Sequence, residues 1–166
     1  TCIFVLATPR VSALTLPASP DPTADGAAGS LRAAVAAATS PGGDEVDLQA
    51  GATYTLTCPG GGQLSHPLTA LTITTPSGPP ATIRQTCPGS RVLAQSLGTL
   101  VIDNVVITGG NFSPSALVVP VGGGIEENFG SVVVRNSIFE DNSVTAAAGE
   151  PAPATGGAIG QTGNLP

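Results

Sequence analysis

Laid over itself at an offset near 30, this chain repeats. Gly98 falls on Gly130, Leu100 on Val132, Ile102 on Val134, Asn104 on Asn136 and Ile107 on Phe139, all at an offset of 32. Gly163 to Leu165 then falls on Gly130 to Val132 at an offset of 33. Upstream, "TCPG" at 57–60 recurs at 86–89, and "LTI" at 71–73 matches "LVI" at 100–102, both 29 residues on. A period of this length made of short apolar runs predicts stacked coils. One coil cannot bury its own apolar side chains, so the coils above and below must do it, and the same inward positions are refilled on every turn. The expected fold is all-β: a parallel β-helix whose coils sit ~4.8 Å apart as ordinary sheet neighbours.

The runs that would form the coils are β-branched and separated by turn residues: 44–57, 68–75, 81–86, 91–96, 98–108 and 130–139. With no Met or Trp and only four Phe and one Tyr, the core must come from Val, Ile, Leu and Ala, while 22 Gly and 16 Pro supply corners. Gly123 with Gly124, and Gly156 with Gly157, mark bends where a Cβ would clash or φ must be positive. Asn104 and Asn136 share one corner, where Asn tolerates the left-handed conformation and can stack its amide on the Asn of the next coil. Segments 111–121 and 143–155 are loops leaving the stack. The one convincing helix is "LRAAVAAAT" at 31–39, with Ser30 as N-cap and Ser40-Pro41-Gly42-Gly43 as its end. Its place is over the N-terminal opening of the stack, burying Leu31 and Val35 together with Ala34 and Ala38.

Five Arg, no Lys and eleven acidic residues give a formal charge of −6. With no basic stripe to displace counterions from phosphate, nucleic acid is excluded as a partner, and so are anionic lipids. Residues 1–13 read as the remainder of an export signal, with an apolar stretch from Cys2 to Ala7 and a small-residue site at Val11-Ser12-Ala13; the competing reading is a first strand of the domain. The domain is then 14–166, with the helical cap at about 30–40 and an incomplete set of coils at about 44–166. No segment reaches the ~20 apolar residues of a membrane-spanning helix.

The set "GGGI" (122–125), "FEDN" (139–142) and "GGAI" (156–159) resembles the GG[AGS][ILV] and FxxN repeats of polymorphic outer-membrane protein passenger domains. The motif residues are Gly123, Gly124, Ile125, Phe139, Asn142, Gly156, Gly157 and Ile159. "SLRAAVAAAT" followed by "GGDEVDLQAGATYTL" is similar to the CSLREA-type segment that opens many exported bacterial β-helix proteins. Gly29, Ala33 and Thr39 depart from it, standing where that segment has Cys, Glu and Asn. The resemblance implies a right-handed parallel β-helix, secreted or held at the cell surface or outer membrane. It implies no reaction and no cofactor.

β-Helices also host polysaccharide lyases and hydrolases, whose sites need converging carboxylates. The candidates are Asp103, Glu126, Glu127, Glu140 and Asp141. Asp103 aligns with Arg135 as a surface pair across coils, and Glu126 and Glu127, being adjacent in a strand, point to opposite faces. All five are read as solvated outer positions, with no catalytic or metal site. His66 is read as a loop residue, "CPGGGQ" (58–63) as a turn, and the sequon at Asn111-Phe112-Ser113 as accidental. Cys58 and Cys87 occupy identical quartets, hence equivalent places in adjacent coils, within the ~4.4–6.8 Å Cα separation a disulfide tolerates. The expected role is structural or adhesive presentation toward a surface protein or a glycan. The alternative is a carbohydrate-active enzyme whose site lies partly in further coils.

Overall fold

The computed structural model describes residues 15–18, 25–66, 69–114, 120–146 and 154–163. The expected export segment and the middle parts of the two loops, 115–119 and 147–153, lie outside the described residues. Among the described residues a first strand, β1 (Thr15–Pro17), is followed by one helix, α1 (Leu31–Ala37). Then come β2 (Asp44–Asp47), β3 (Thr53–Leu56) and β4 (Leu64–His66), followed by β5 (Leu71–Thr74), β6 (Ala81–Gln85) and β7 (Leu93–Ser96). The third set is β8 (Thr99–Asp103), β9 (Val105–Thr108), β10 (Asn111–Phe112) and β11 (Ile125–Asn128). The last is β12 (Ser131–Arg135), β13 (Ile138–Glu140), β14 (Ser143–Val144) and β15 (Ile159–Thr162).

Every pairing among these strands is parallel and joins one coil to the next, which makes the protein a β-solenoid. A first sheet runs β1-β2-β5-β8-β12, a second β3-β6-β9-β13 and a third β4-β7-β11-β15, with β10 and β14 as a short fourth pair. The self-alignment is the register: Leu100 opposes Val132, Ile102 opposes Val134 and Ile107 opposes Phe139. The long run expected at 98–108 is two strands, because Asn104 takes φ 56° and turns the chain from the first sheet into the second. Its counterpart Asn136 has φ 48°. Asn104 Nδ2 donates to the Thr75 and Gly78 carbonyls, and Asn136 Nδ2 to Asp103 Oδ1. The column is conformational. Gly163 stacks at the Leu97 and Phe129 level, one residue off the expected Gly130, since Asn128 opposes Thr162 and all three have positive φ.

Inward positions form vertical columns. Val46, Ile73 and Ile102 line the first sheet, Tyr54, Ile83 and Ile107 the second, Leu64, Leu93 and Ile125 the third, each 3 % exposed or less. Each such aliphatic side chain contributes roughly 1.5–3 kcal/mol on burial. At the first coil α1 lies against β2 and β4 and sends Leu31, Ala34 and Val35 into the same core. Ser30 Oγ caps it by accepting from Ala33 N–H. Beyond the cap, Asp25 and Arg32 staple the helix to the first coil. The guanidinium donates Nε to Asp25 Oδ1 at 2.9 Å, and its Nη1 and Nη2 to the carbonyls of Gln63 and Gly62. Asp25 Oδ2 also accepts from Thr57 N–H and Thr57 Oγ1.

The third sheet corrects two expectations. His66 is the last residue of β4, 3 % exposed, with Nε2 2.7 Å from the Ala38 carbonyl at the helix end; a carbonyl only accepts, so Nε2 carries the proton. Glu127 is fully buried inside the coil, since with Ile125 in the core the two-residue period turns Glu127 inward as well.

Candidate functional site

Repetition on the outside of a solenoid produces ladders of polar groups as regular as the columns within. On the second sheet, Thr55, Arg84, Thr108 and Glu140 stand in register on four successive strands. At its edge, Asp141 takes φ 52° and turns the chain out of β13. Thr53, Thr82, Arg84, Thr108, Glu140 and Asp141 border a shallow open groove of about 410 Å³. Its lining brings hydroxyls, one guanidinium and two carboxylates from four successive strands, which follow the ~4.8 Å rise of the coils. Among the described residues Arg84 forms no ion pair, so its donors face the groove unspent. Such a strip offers hydrogen bonds at a fixed interval to an extended, polyhydroxylated or acidic chain.

The five acidic candidates do not converge. Asp103 lies on the first sheet opposite Arg135, as the alignment has it, but its carboxylate accepts from Asn136 and the two side chains form no ion pair. Glu126 pairs with Arg91, which also donates to the Gly122 and Val121 carbonyls and lies 3.6 Å over the Phe112 ring. Burial lowers Arg91 to about 10, which leaves it charged at neutral pH. Glu127 is inside. Only Glu140 and Asp141 share the groove. Among the described residues no group of three or more His, Cys, Asp or Glu is placed to hold a metal ion.

The motif residues build corners. Gly156 has φ 68° and its counterpart Gly122 has φ 64°, while Gly123 is needed for space: a Cβ there would lie 2.1 Å from the Ser143 carbonyl oxygen. Asn142 of the FxxN element clamps the coil before it, accepting from Gly110 N–H and donating to the Ile107 carbonyl, and Phe139 packs against the core. Ile125 and Ile159 are in register on the inner face. Cys58 and Cys87 are joined, their Cα atoms 4.8 Å apart, at matching turns of the first two coils. The expected loops begin and end as paired structure: Asn111–Phe112 runs beside Ser143–Val144, and Val121 bridges Thr155.

Three polar clusters escaped the sequence reading. The Asp25–Arg32–Thr57 staple left no periodic trace. Glu45 and Asp47 project from one face of β2, where burial first, and then the hydrogen bond and negative charge of Asp47, raise Glu45 above the ordinary carboxylate range; the alternation in "DEVD" was the available signal. The third is the inner file of the third sheet, His66, Gln95, Glu127 and Gln161, in register from β4 to β15. Comparison of the chain with protein families, curated proteins and solved structures finds no match. Among the described residues no helix is long and apolar enough to cross a membrane.

Proposed function

We propose that this is a secreted or cell-surface β-helix with a structural, adhesive role, which presents the outer face of its second sheet to a glycan and catalyses nothing. The Arg84–Thr108–Glu140 part of the outer ladder carries this reading: it lines a groove of hydrogen-bonding groups on successive coils, with one uncommitted guanidinium. The Cys58–Cys87 bond supports an oxidising compartment, and the GG[AG]I and FxxN corners support kinship with surface-exposed bacterial passenger domains.

The test is retention of the purified chain on immobilised neutral and uronate-containing glycans, beside Arg84→Ala and Thr108→Val. Both side chains point away from the core, so neither substitution should move the melting temperature appreciably. Weakened retention in both, on an acidic glycan above all for Arg84→Ala, is expected; retention indifferent to both would overturn the groove as the contact. The second reading, a carbohydrate-active enzyme, draws on Glu140 and Asp141 sharing that groove with Arg84. Turnover of a uronate polysaccharide that is lost in Glu140→Gln or Asp141→Asn would establish it instead.

A further inference from the structure

The interior file of the third sheet presents an unbalanced set of hydrogen-bonding groups. Gln95 is 1 % exposed and spends both amide hydrogens, on the Thr69 and Leu97 carbonyls, which fixes the orientation of its amide and leaves Oε1 without a donor. Directly above it in register, Glu127 is 0 % exposed, and neither of its oxygens has a partner. Its carboxyl group lies over Gly130, where a Cβ would be only 2.0 Å from Oε1, so the glycine at this corner makes the room. Three buried acceptors thus stand on paired positions of neighbouring strands, and none of them has a donor. An ionised carboxylate cannot supply one, and a lone buried charge is far costlier than a neutral group.

We propose that Glu127 is a neutral carboxylic acid in the folded protein, that its O–H donates to Gln95 Oε1, and that this acid–amide contact is a proton-operated latch between the coils of β7 and β11. One proton removes the buried charge and satisfies two orphaned oxygens at once. The groups that face Glu127 offer no countercharge: Gln95 from β7, Gln161 from β15, Gly130 from the corner, and His66 two coils away in β4 beyond Gln95. Gln161 is itself turned aside, donating to the Gly130 carbonyl. Arg91 and Glu126 engage each other, with Glu126 on the opposite face of β11. Burial pushes the Glu127 carboxyl up to about 7. The folded state therefore holds a proton that the unfolded chain, with an ordinary carboxyl, gives up. The stability from the latch is complete below the unfolded value of 4.5 and is lost as pH rises through about 7. Above that, the seam between the two coils carries a buried charge and loosens.

Urea unfolding of the wild type and Glu127→Gln across pH 4.5–8.5 tests this. The amide of the variant offers a donor at every pH. The wild-type folding constant should fall by roughly 10²-fold or more relative to the variant as pH rises across the window. Taking the difference removes the contribution of Glu45, which has the same sign in both proteins. Parallel profiles would overturn the latch. Should the variant fail to fold, the carboxyl-carbon NMR titration of Glu127 in the wild type decides: a midpoint near neutrality supports the proposal and one in the ordinary carboxylate range refutes it. A melting temperature of the wild type raised by Ca²⁺, Na⁺ or K⁺ at neutral pH, and unmoved in Glu127→Gln, would mean that a cation and not a proton fills the gap, and would also refute it.

Discussion

Breaking the Cys58–Cys87 bond should destabilise the protein almost entirely through the unfolded state. Cys58 is exposed and Cys87 half-buried, so replacing both with Ser removes little packing. What changes is the freedom of the unfolded chain, since the bond spans a sequence separation of 29. The chain-entropy relation gives about 3.5 kcal/mol at 25 °C for a loop of this length. With a urea m-value of about 2 kcal/mol per molar, the unfolding midpoint of the double variant should fall by roughly 1.5–2 M. The loss should be local as well. The bond ties the turn after β3 to the turn after β6, so amide protection should drop first in the coils of β2–β4 and β5–β7. A thiol titration of the unreduced, denatured chain, which has three cysteines, should leave Cys58 and Cys87 unmodified. Three free thiols would refute the bond. A bond present by titration but contributing less than about 1 kcal/mol would refute the entropy argument, and would mean that the unfolded chain already keeps these two coils side by side.

The staple at the helical end should be acid-sensitive. Burial pushes Asp25 up, but the Arg32 and Thr57 hydrogen bonds and the Arg32 charge outweigh it and hold the carboxyl below its ordinary 3.8. Its contribution is therefore present above that value and lost as pH falls through the lower folded value, and Asp25→Asn should cost about 2 kcal/mol at pH 7 and progressively less below pH 4, read by urea midpoints. The two copies of the glycine motif should respond unequally. At Gly123 an added Cβ meets the Ser143 carbonyl at 2.1 Å, whereas at Gly157 its nearest neighbour is the Asn142 carbonyl at 3.1 Å. Gly123→Ala should thus cost about 3 kcal/mol and Gly157→Ala less than about 1, by thermal unfolding; equal losses would sink the steric account of the motif.

The coil stack was legible because its cause is periodic. Refilled inward positions force Leu100 over Val132 and Ile102 over Val134, and the sequence repeats them at the interval the sheet uses. Cys58 and Cys87 were found by the same logic. The strands β4, β11 and β15 were less visible, because each mixes one apolar inward residue with a polar one. Leu64 precedes His66 by two, and Ile125 precedes Glu127 by two; applying the strand period from the aliphatic residue would have turned both inward, against their polarity. The staple was out of reach, since Asp25 meets Arg32 and Thr57 through a turn whose path no periodicity encodes. The outer groove was half legible. Glu140 and Asp141 stand out in the sequence as acidic neighbours, whereas Arg84 joins them because the turn at 75–80 in one coil shortens to Asn104 in the next, which brings Ala81 opposite Val105 and Arg84 opposite Thr108.

Two costs meet along one edge of the stack. The file from His66 to Gln161 leaves buried acceptors unpaired, and one residue beyond Ser96 and Asn128 the chain places Leu97 and Phe129 at φ 71° and 63°, a conformation costing a non-glycine residue roughly 1–2 kcal/mol. Both side chains are also substantially exposed, at 42 % and 47 %, so burial does little to offset the strain. The two features are joined through hydrogen bonds, because Gln95 donates to the carbonyl of Leu97 and thereby holds that corner in place. The other two sheets carry less of this burden: Asp47 Oδ1 on β2 is their one unpaired buried side-chain acceptor among the described residues, their inner files are aliphatic or aromatic over most of their length, and their shared corner at Asn104 and Asn136 uses the residue that best tolerates positive φ after glycine. Opening of the stack should therefore begin along the third sheet, with β7, β11 and β15 parting from one another before the first sheet does. The protonation state of Glu127 sets how readily that happens.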